Sequence, residues 1–333
     1  MTTPPPPLVL SLGDPCGIGP ELTVKAWRAL KDHAALTFCV VGDARTLRDL
    51  DAPVTVIETL DQTADVFGEA LPVLDLPLDQ RPRPGKPDGV HARPIVGWIR
   101  TGVELCQAGQ ARGLVTAPIA KSVLYGTGFK FPGHTEYLAE LCRDGDGPAP
   151  TPVMMLSARD LKVVLATIHL PLRDVPDALT VDGVVEIARI THDALKRDFA
   201  LAAPRIAMAG LNPHAGEDGT IGREEIDVLI PAVEQLRRGG IEVLGPLPAD
   251  TMFHDDARAT YDAAICMYHD QGLVPLKTLD FWSGVNITLG LPIVRTSPDH
   301  GTGFAIAGTG QARPDSLIAA IRAADQISRN RGA

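Results

Sequence analysis

The sequence predicts an α/β fold built on a mainly parallel sheet. Short apolar runs alternate with segments of helical periodicity along the whole chain. Many of those runs are apolar at nearly every residue, as in strands covered by helices on both faces. No internal repeat or long low-complexity segment interrupts the alternation.

The elements follow in order. LVLSL (8–12) is the first strand, and it runs through the turn GDPCGIGP into a helix over 20–31, with Pro20 suited to a first helical turn. LTFCVVG (36–42) is the second strand. LPLDQRPRPGKPDG (76–89), rich in proline and charge, reads as a surface loop. A helix over 92–108, the strand GLVTA (113–117) and a helix over 135–142 come next, and CRDGDGPAPTP (142–152) reads as a crossing between lobes. Beyond it lie strands PVMML (152–156) and LKVVLATI (161–168), a helix over 181–198, strand RIAMAG (205–210), a helix over 223–238, and strands IEVL (241–244), DAAICMY (262–268) and VNITL (285–289). The last helix, 314–328, needs a sheet to pack on, which predicts a return to the N-terminal lobe. The expected division is a discontinuous α/β lobe of residues 1–128 plus 304–333 and a second α/β lobe of residues 129–303.

Composition bounds the function. At 333 residues, 45% hydrophobic and 22% charged, the chain can bury a sizeable core. A net charge of −10 without basic runs argues against nucleic-acid and anionic-membrane partners. The cysteines at 16, 39, 106, 142 and 266 are odd in number and widely spaced, which fits a reducing compartment. MTTPPPP does not have the layout of a secretory signal, and no apolar run reaches the ~20 residues of a membrane span. These features predict a soluble, cytoplasmic protein.

Three histidines end apolar runs. His169 closes LKVVLATIH, His214 closes RIAMAGLNPH and His269 closes ICMYH. In open α/β sheets ligands bind outside the carboxyl ends of strands, so three strands can deliver three imidazoles to one point. Three neutral imidazoles leave a divalent ion its full charge and open positions for substrate. Any one of them alone reads as an ordinary polar loop residue; the shared context favours the metal. His33, His91, His192 and His254 read as surface residues.

Anion handles lie beside the same strand ends. GHTEYLAEL (133–141) puts His134 and Thr135 at a helix start, with Thr135 read as the N-cap. Lys277 follows the third histidine, Asn286 opens VNITLGLPIVR and Arg295 ends it. The glycine-rich turn at 13–20 falls short of a dinucleotide fingerprint, because Leu22 stands where a third glycine would, and it reads as a packing turn. Cys16 within it has no evident partner base. SPDHGTGFAIAGTGQARPD (297–315) is a loop that lets backbone approach a flat or phosphorylated ligand.

The stretches GDPCGIGPE, GHTEYLAEL, ATIHLPL, LNPHAGEDGTIGREE, GPLPADTMF, YHDQGLVPLK and GVNITLGLPIVRTSPDHGTG, spread over residues 13–303, together resemble the 4-hydroxythreonine-4-phosphate dehydrogenase family of pyridoxal 5′-phosphate biosynthesis. The sequence departs from the family pattern at Cys16, Trp282 and Gly303. The resemblance implies two α/β/α lobes with a cleft between them, like isocitrate and isopropylmalate dehydrogenases. It implies a homodimer whose metal site is shared between subunits, and one divalent ion (zinc, magnesium or cobalt) held by His169, His214 and His269. It further implies substrate contacts at His134, Thr135, Lys277, Asn286 and Arg295, and NAD or NADP bound through His300, Gly301 and Thr302.

The expected reaction is oxidation of a small phosphorylated hydroxy amino acid, with Asp250 and Lys277 as candidates for proton transfer. The second lobe is expected to carry most of these residues. The family also holds relatives acting on threonate or erythronate 4-phosphate or on a cyclic diol dicarboxylate, which would keep the histidines. A non-catalytic protein with a structural interface metal is the remaining alternative.

Overall fold

The computed structural model describes residues 5–33, 35–125, 131 and 133–332. The chain divides into two compact units, Met1–Pro152 with Leu291–Ala333, and Val153–Gly290.

The first unit opens with β1 (Leu8–Ser11), α1 (Gly19–Leu30), β2 (Phe38–Gly42), α2 (Ala44–Arg48), β3 (Val54–Val56), α3 (Thr63–Phe67) and β4 (Leu71–Asp75). It continues with α4 (Ala92–Gln107), β5 (Leu114–Thr116), α5 (Lys121–Tyr125) and α6 (His134–Leu141). The second unit holds β6 (Val153–Ala158), β7 (Leu161–Leu165), α7 (Val175–Ala178), α8 (Val181–Asp198), β8 (Ile206–Ala209), α9 (Ile230–Arg238), β9 (Val243–Leu247), α10 (Asp255–Arg258), β10 (Ala263–Cys266), α11 (His269–Leu279) and β11 (Val285–Leu289). The chain then completes the first unit with β12 (Arg295–Pro298) and α12 (Asp315–Asn330).

In the first unit the strand order is β3-β4-β2-β1-β5-β12, and every pairing is parallel. β1, β2, β5 and β12 are buried along their whole length; for β1, β2 and β5 this accounts for their apolar runs, whereas β12 buries the polar Arg295, Thr296 and Ser297. α4 packs Ile95, Trp98 and Ile99 inward, and α12 does the same with Leu317, Ile321 and Ala324. α12 is fastened to its strand where Thr296 Oγ1 donates to the Ala320 carbonyl at 2.8 Å.

In the second unit the order is β11-β6-β7-β10-β8-β9. β7, β10, β8 and β9 run parallel, whereas β6 is antiparallel to both its neighbours. The β6–β7 hairpin turns through Arg159, in the left-handed region at φ +51°. Leu156, Val163, Leu165, Ala264, Cys266, Leu273 and Leu276 form its core under α11.

The units change over at 152/153 and 290/291, not at 128/129 and 303/304. Two pairings explain the difference. Tyr137 of α6 reaches the Val96 carbonyl of α4, and β12 pairs with β5, so both segments belong to the first unit. The boundary after Pro152 coincides with the end of the CRDGDGPAPTP segment.

Candidate active site

β7, β10 and β8 are adjacent parallel strands, and each is followed within five residues by one of the three histidines. Side chains stitch the three strand ends together. Thr167 Oγ1 donates to the Met267 carbonyl at 2.6 Å, joining the exits of β7 and β10. Gln271, 8% exposed, accepts from the Met267 amide at 2.7 Å and donates to the Gly210 carbonyl at 2.7 Å, joining the exits of β10 and β8. Both satisfy buried backbone groups that the ending ladders release.

His169 and His269 face one another with ring centroids 5.6 Å apart. His269 is the first residue of α11 rather than a loop residue. Its Nδ1 lies 2.7 Å from Asp270 Oδ1. A carboxylate there selects the tautomer that leaves Nε2 as a lone-pair donor, the usual second partner of a metal-binding imidazole. The donor chemistry therefore suits a divalent ion. Among the described residues, no group of three or more His, Cys, Asp or Glu able to hold a metal is assembled within one chain; His214 is not gathered with the other two.

His214 starts an unusual turn. Residues 214–218 all take left-handed backbone angles, with φ of 53°, 52°, 81°, 40° and 55°. Only Gly216 adopts this region freely; left-handed helical backbone costs the other residues about 1–2 kcal/mol each. The turn is held from behind. Glu225, 2% exposed, accepts from the Asn212 amide and from Asn212 Nδ2, both at 2.8 Å, and Glu224 takes the same Nδ2 at 2.7 Å. A Cβ on Gly216 would lie 2.7 Å from Glu225 Oε2, and one on Gly222 would lie 2.2 Å from Asn212 Nδ2. Asn212, Glu224, Glu225, Asp270 and Gln271 were not among the expected site residues. One sequence signal exists: Glu225 stands at helical spacing at the head of the buried stripe of Leu229, Ala232, Val233 and Leu236.

Lys277 lies on α11, with Nζ 5.5 Å from the centroid of the Phe281 ring. Phe281 and Trp282 are exposed and meet edge to face at 5.1 Å. Asn286, in β11, has a buried Oδ1 with no hydrogen-bond partner among the described residues. Asp250 is exposed on a single 3₁₀ turn, Ala249–Thr251.

His134, Thr135 and Arg295 sit in the first unit, although the second lobe was expected to hold them. Thr135 is not the N-cap of α6; Gly133 holds that position, and Thr135 is buried inside the first turn. Arg295, 3% exposed, donates through Nη2 to Thr116 Oγ1 at 2.8 Å and meets His134 Nδ1 at 3.3 Å. Burial, reinforced by the Arg295 charge, pushes His134 well below its ordinary pKa, so the imidazole is neutral. Burial lowers Arg295 to about 10, still charged at neutral pH. With Nδ1 accepting, the proton of His134 resides on Nε2, a buried donor with no partner among the described residues. A permanent charge and an unspent donor suit an anionic ligand.

The two glycine-rich stretches pack together in the first unit. Ile18 N donates to the Thr302 carbonyl at 2.9 Å, and a Cβ on Gly17 would lie 2.7 Å from that oxygen. Gly17 is thus a close-approach glycine. His300 and Gly301 are exposed. Cys16 is fully buried, and burial raises its thiol, which argues against a nucleophile. A cavity of about 540 Å³ lies at the other end of this sheet, lined by Pro5, Thr37, Leu105 and Arg112 at the amino ends of strands, away from these residues.

Residues 34–324 match the family model described as pyridoxal phosphate biosynthetic protein PdxA. The chain is 56% identical over 329 residues to the 4-hydroxythreonine-4-phosphate dehydrogenase of Caulobacter vibrioides, covering 98% of each. Among solved structures it resembles the 4-hydroxythreonine-4-phosphate dehydrogenase of Klebsiella pneumoniae, at TM-score 0.83 and 38% identity, covering 97% of this chain and 99% of that one. A terephthalate 1,2-cis-dihydrodiol dehydrogenase from Burkholderia xenovorans is more distant, at TM-score 0.65 and 27% identity, covering 96% and 97%. The chain therefore belongs to the pyridoxal phosphate biosynthetic protein PdxA family.

Proposed function

We propose that the protein oxidises the C3 hydroxyl of 4-phosphohydroxy-L-threonine with NAD⁺ or NADP⁺. The product, 2-amino-3-oxo-4-phosphooxybutanoate, decarboxylates to 3-amino-2-oxopropyl phosphate in pyridoxal 5′-phosphate biosynthesis. The observation that carries this reading is the His169–His269 pair, at the carboxyl ends of adjacent parallel strands and 5.6 Å apart. The relatives' names agree with it.

His169, His214 and His269 would hold one divalent ion, with one of the three imidazoles coming from a second subunit of a cytoplasmic homodimer. When bound, that ion supplies Lewis acidity toward the substrate hydroxyl and toward the enolate oxygen of the decarboxylation. An all-imidazole set favours zinc or cobalt over magnesium, which prefers oxygen ligands.

The chain's own groups do the rest. Arg295 holds the phosphate with the first turn of α6, where His134 Nε2 and Thr135 add donors, and Lys277 is a further substrate contact. Asn286 turns its buried Oδ1 to a substrate donor. Asp250 and Lys277 move the hydroxyl proton. His300, Gly301 and Thr302 receive the adenosine side of the dinucleotide.

A panel of 4-phosphohydroxy-L-threonine, threonate and erythronate 4-phosphates and a cyclic diol dicarboxylate, each with NAD⁺ and NADP⁺, tests the proposal. The first should give the highest kcat/KM. Preference for the diol, the substrate named for the Burkholderia xenovorans relative, would transfer the chain to that activity. Turnover undiminished after metal removal would reject the metal.

A further inference from the structure

We propose that Glu225, acting through Asn212, is the positioning residue that aims His214. This rests on reading His214 as a metal ligand.

The geometry is particular. Glu225 is a buried carboxylate at the head of the widened helical turn Glu225–Leu229. Both its oxygens are used on one residue: Oε1 takes the Asn212 amide and Oε2 takes the Asn212 side chain. Asn212 is thereby fixed at backbone and side chain together. Pro213 follows, with φ restricted by its ring. His214 then enters the left-handed run at φ 53°. Only two peptide links separate the anchored amide from the imidazole-bearing residue, so the direction of the ring follows from the anchor.

The surroundings are shaped to admit that carboxylate. A Cβ on Gly216 would meet Glu225 Oε2 at 2.7 Å, and one on Gly210 would meet Oε1 at 3.0 Å. Gly210 is also the carbonyl that Gln271 grips, so the anchor of His214 and the stitch from the His269 strand end converge on the exit of β8. A buried carboxylate is costly in a merely structural turn, where a neutral side chain would serve. It is suited to holding backbone in a conformation that the local sequence disfavours.

Glu225→Gln tests this. The amide keeps one acceptor but turns an N–H toward Asn212 Nδ2, a donor facing a donor. Asn212→Ala removes the side-chain half of the anchor from a part-exposed position, and it serves if the glutamine variant does not fold. Full-length parent, both variants and His214→Ala are stripped of metal and titrated with Co²⁺, following the visible d–d absorption, with thermal unfolding recorded alongside.

The expected result is a Co²⁺ affinity lowered 10–100-fold and an altered spectrum in the folded Glu225→Gln or Asn212→Ala protein. Parental affinity and spectrum in either folded variant, with His214→Ala losing the ion, would overturn the positioning role alone. Parental Co²⁺ binding by His214→Ala would instead overturn the ligand reading beneath it. A purely structural role would shift the melting temperature without moving the spectrum.

Discussion

Arg295 Nη2 lies 3.3 Å from His134 Nδ1, so a buried guanidinium faces an imidazole that must stay neutral. Burial and the neighbouring guanidinium charge together hold His134 neutral. His134 offers a donor at Nε2, and Arg295 keeps its charge.

One consequence is a pH dependence of stability. His134 has a native pKa well below its ordinary 6.5. As pH falls below that ordinary value, the unfolded chain binds a proton that the native state refuses, and stability drops. The loss is at most about 1.4 kcal/mol per pH unit for one such group. His91, also lowered by burial, adds to it with the same sign. Urea unfolding between pH 7.5 and 5 should show a shallower acid decline in His134→Asn than in the parent, though not a flat one. Identical slopes would mean His134 is charged in the native state.

Arg295→Lys should cost binding more than turnover. Lysine keeps a charge but not the fork that reaches Thr116 and His134 together. KM for the phosphorylated substrate should rise at least about tenfold, of order 1.4 kcal/mol, with a smaller change in kcat. An unchanged KM in steady-state kinetics would remove Arg295 from the anion site.

Asp270→Asn should weaken the metal without unfolding the chain. The carboxylate is exposed and, among the described residues, its hydrogen-bond contact is with the ring it orients. Loss of such a partner typically costs about 10–100-fold in metal affinity. Competition with a chelator measures it directly; parental affinity would mean that the 2.7 Å contact is incidental.

Much of this was legible in the sequence, and the rest was hidden for definite reasons. Continuous apolar runs marked β1, β2, β7, β8 and β10 because those strands are covered on both faces. β3 escaped notice because it is short and largely exposed, so its pattern carries no burial signal. β12 was masked because Arg295, Thr296 and Ser297 are polar yet buried. α11 was missed because Gly272 and Pro275 argue for a loop, while the packing of Leu273 and Leu276 overrides them. The histidines were visible as strand-end residues, but Glu225 and Asn212 are thirteen positions apart and meet only through the fold.

Gln271 offers the sharpest test of the stitched strand ends. It spends its Oε1 on the Met267 amide and its Nε2 on the Gly210 carbonyl, each at 2.7 Å. Leucine in its place would fill similar volume and leave both backbone groups buried without partners. An orphaned buried group costs about 1–3 kcal/mol, so Gln271→Leu should lose roughly 2–5 kcal/mol of unfolding free energy by urea denaturation. Gln271→Glu separates the two bonds. It keeps the acceptor for Met267 but sets a carboxylate oxygen against the Gly210 carbonyl, so protonation at low pH should restore a donor and part of the stability. A glutamate variant whose deficit does not shrink on acidification would mean that the Gly210 bond contributes nothing, and that β8 and β10 are held at their exits by ladder bonds alone.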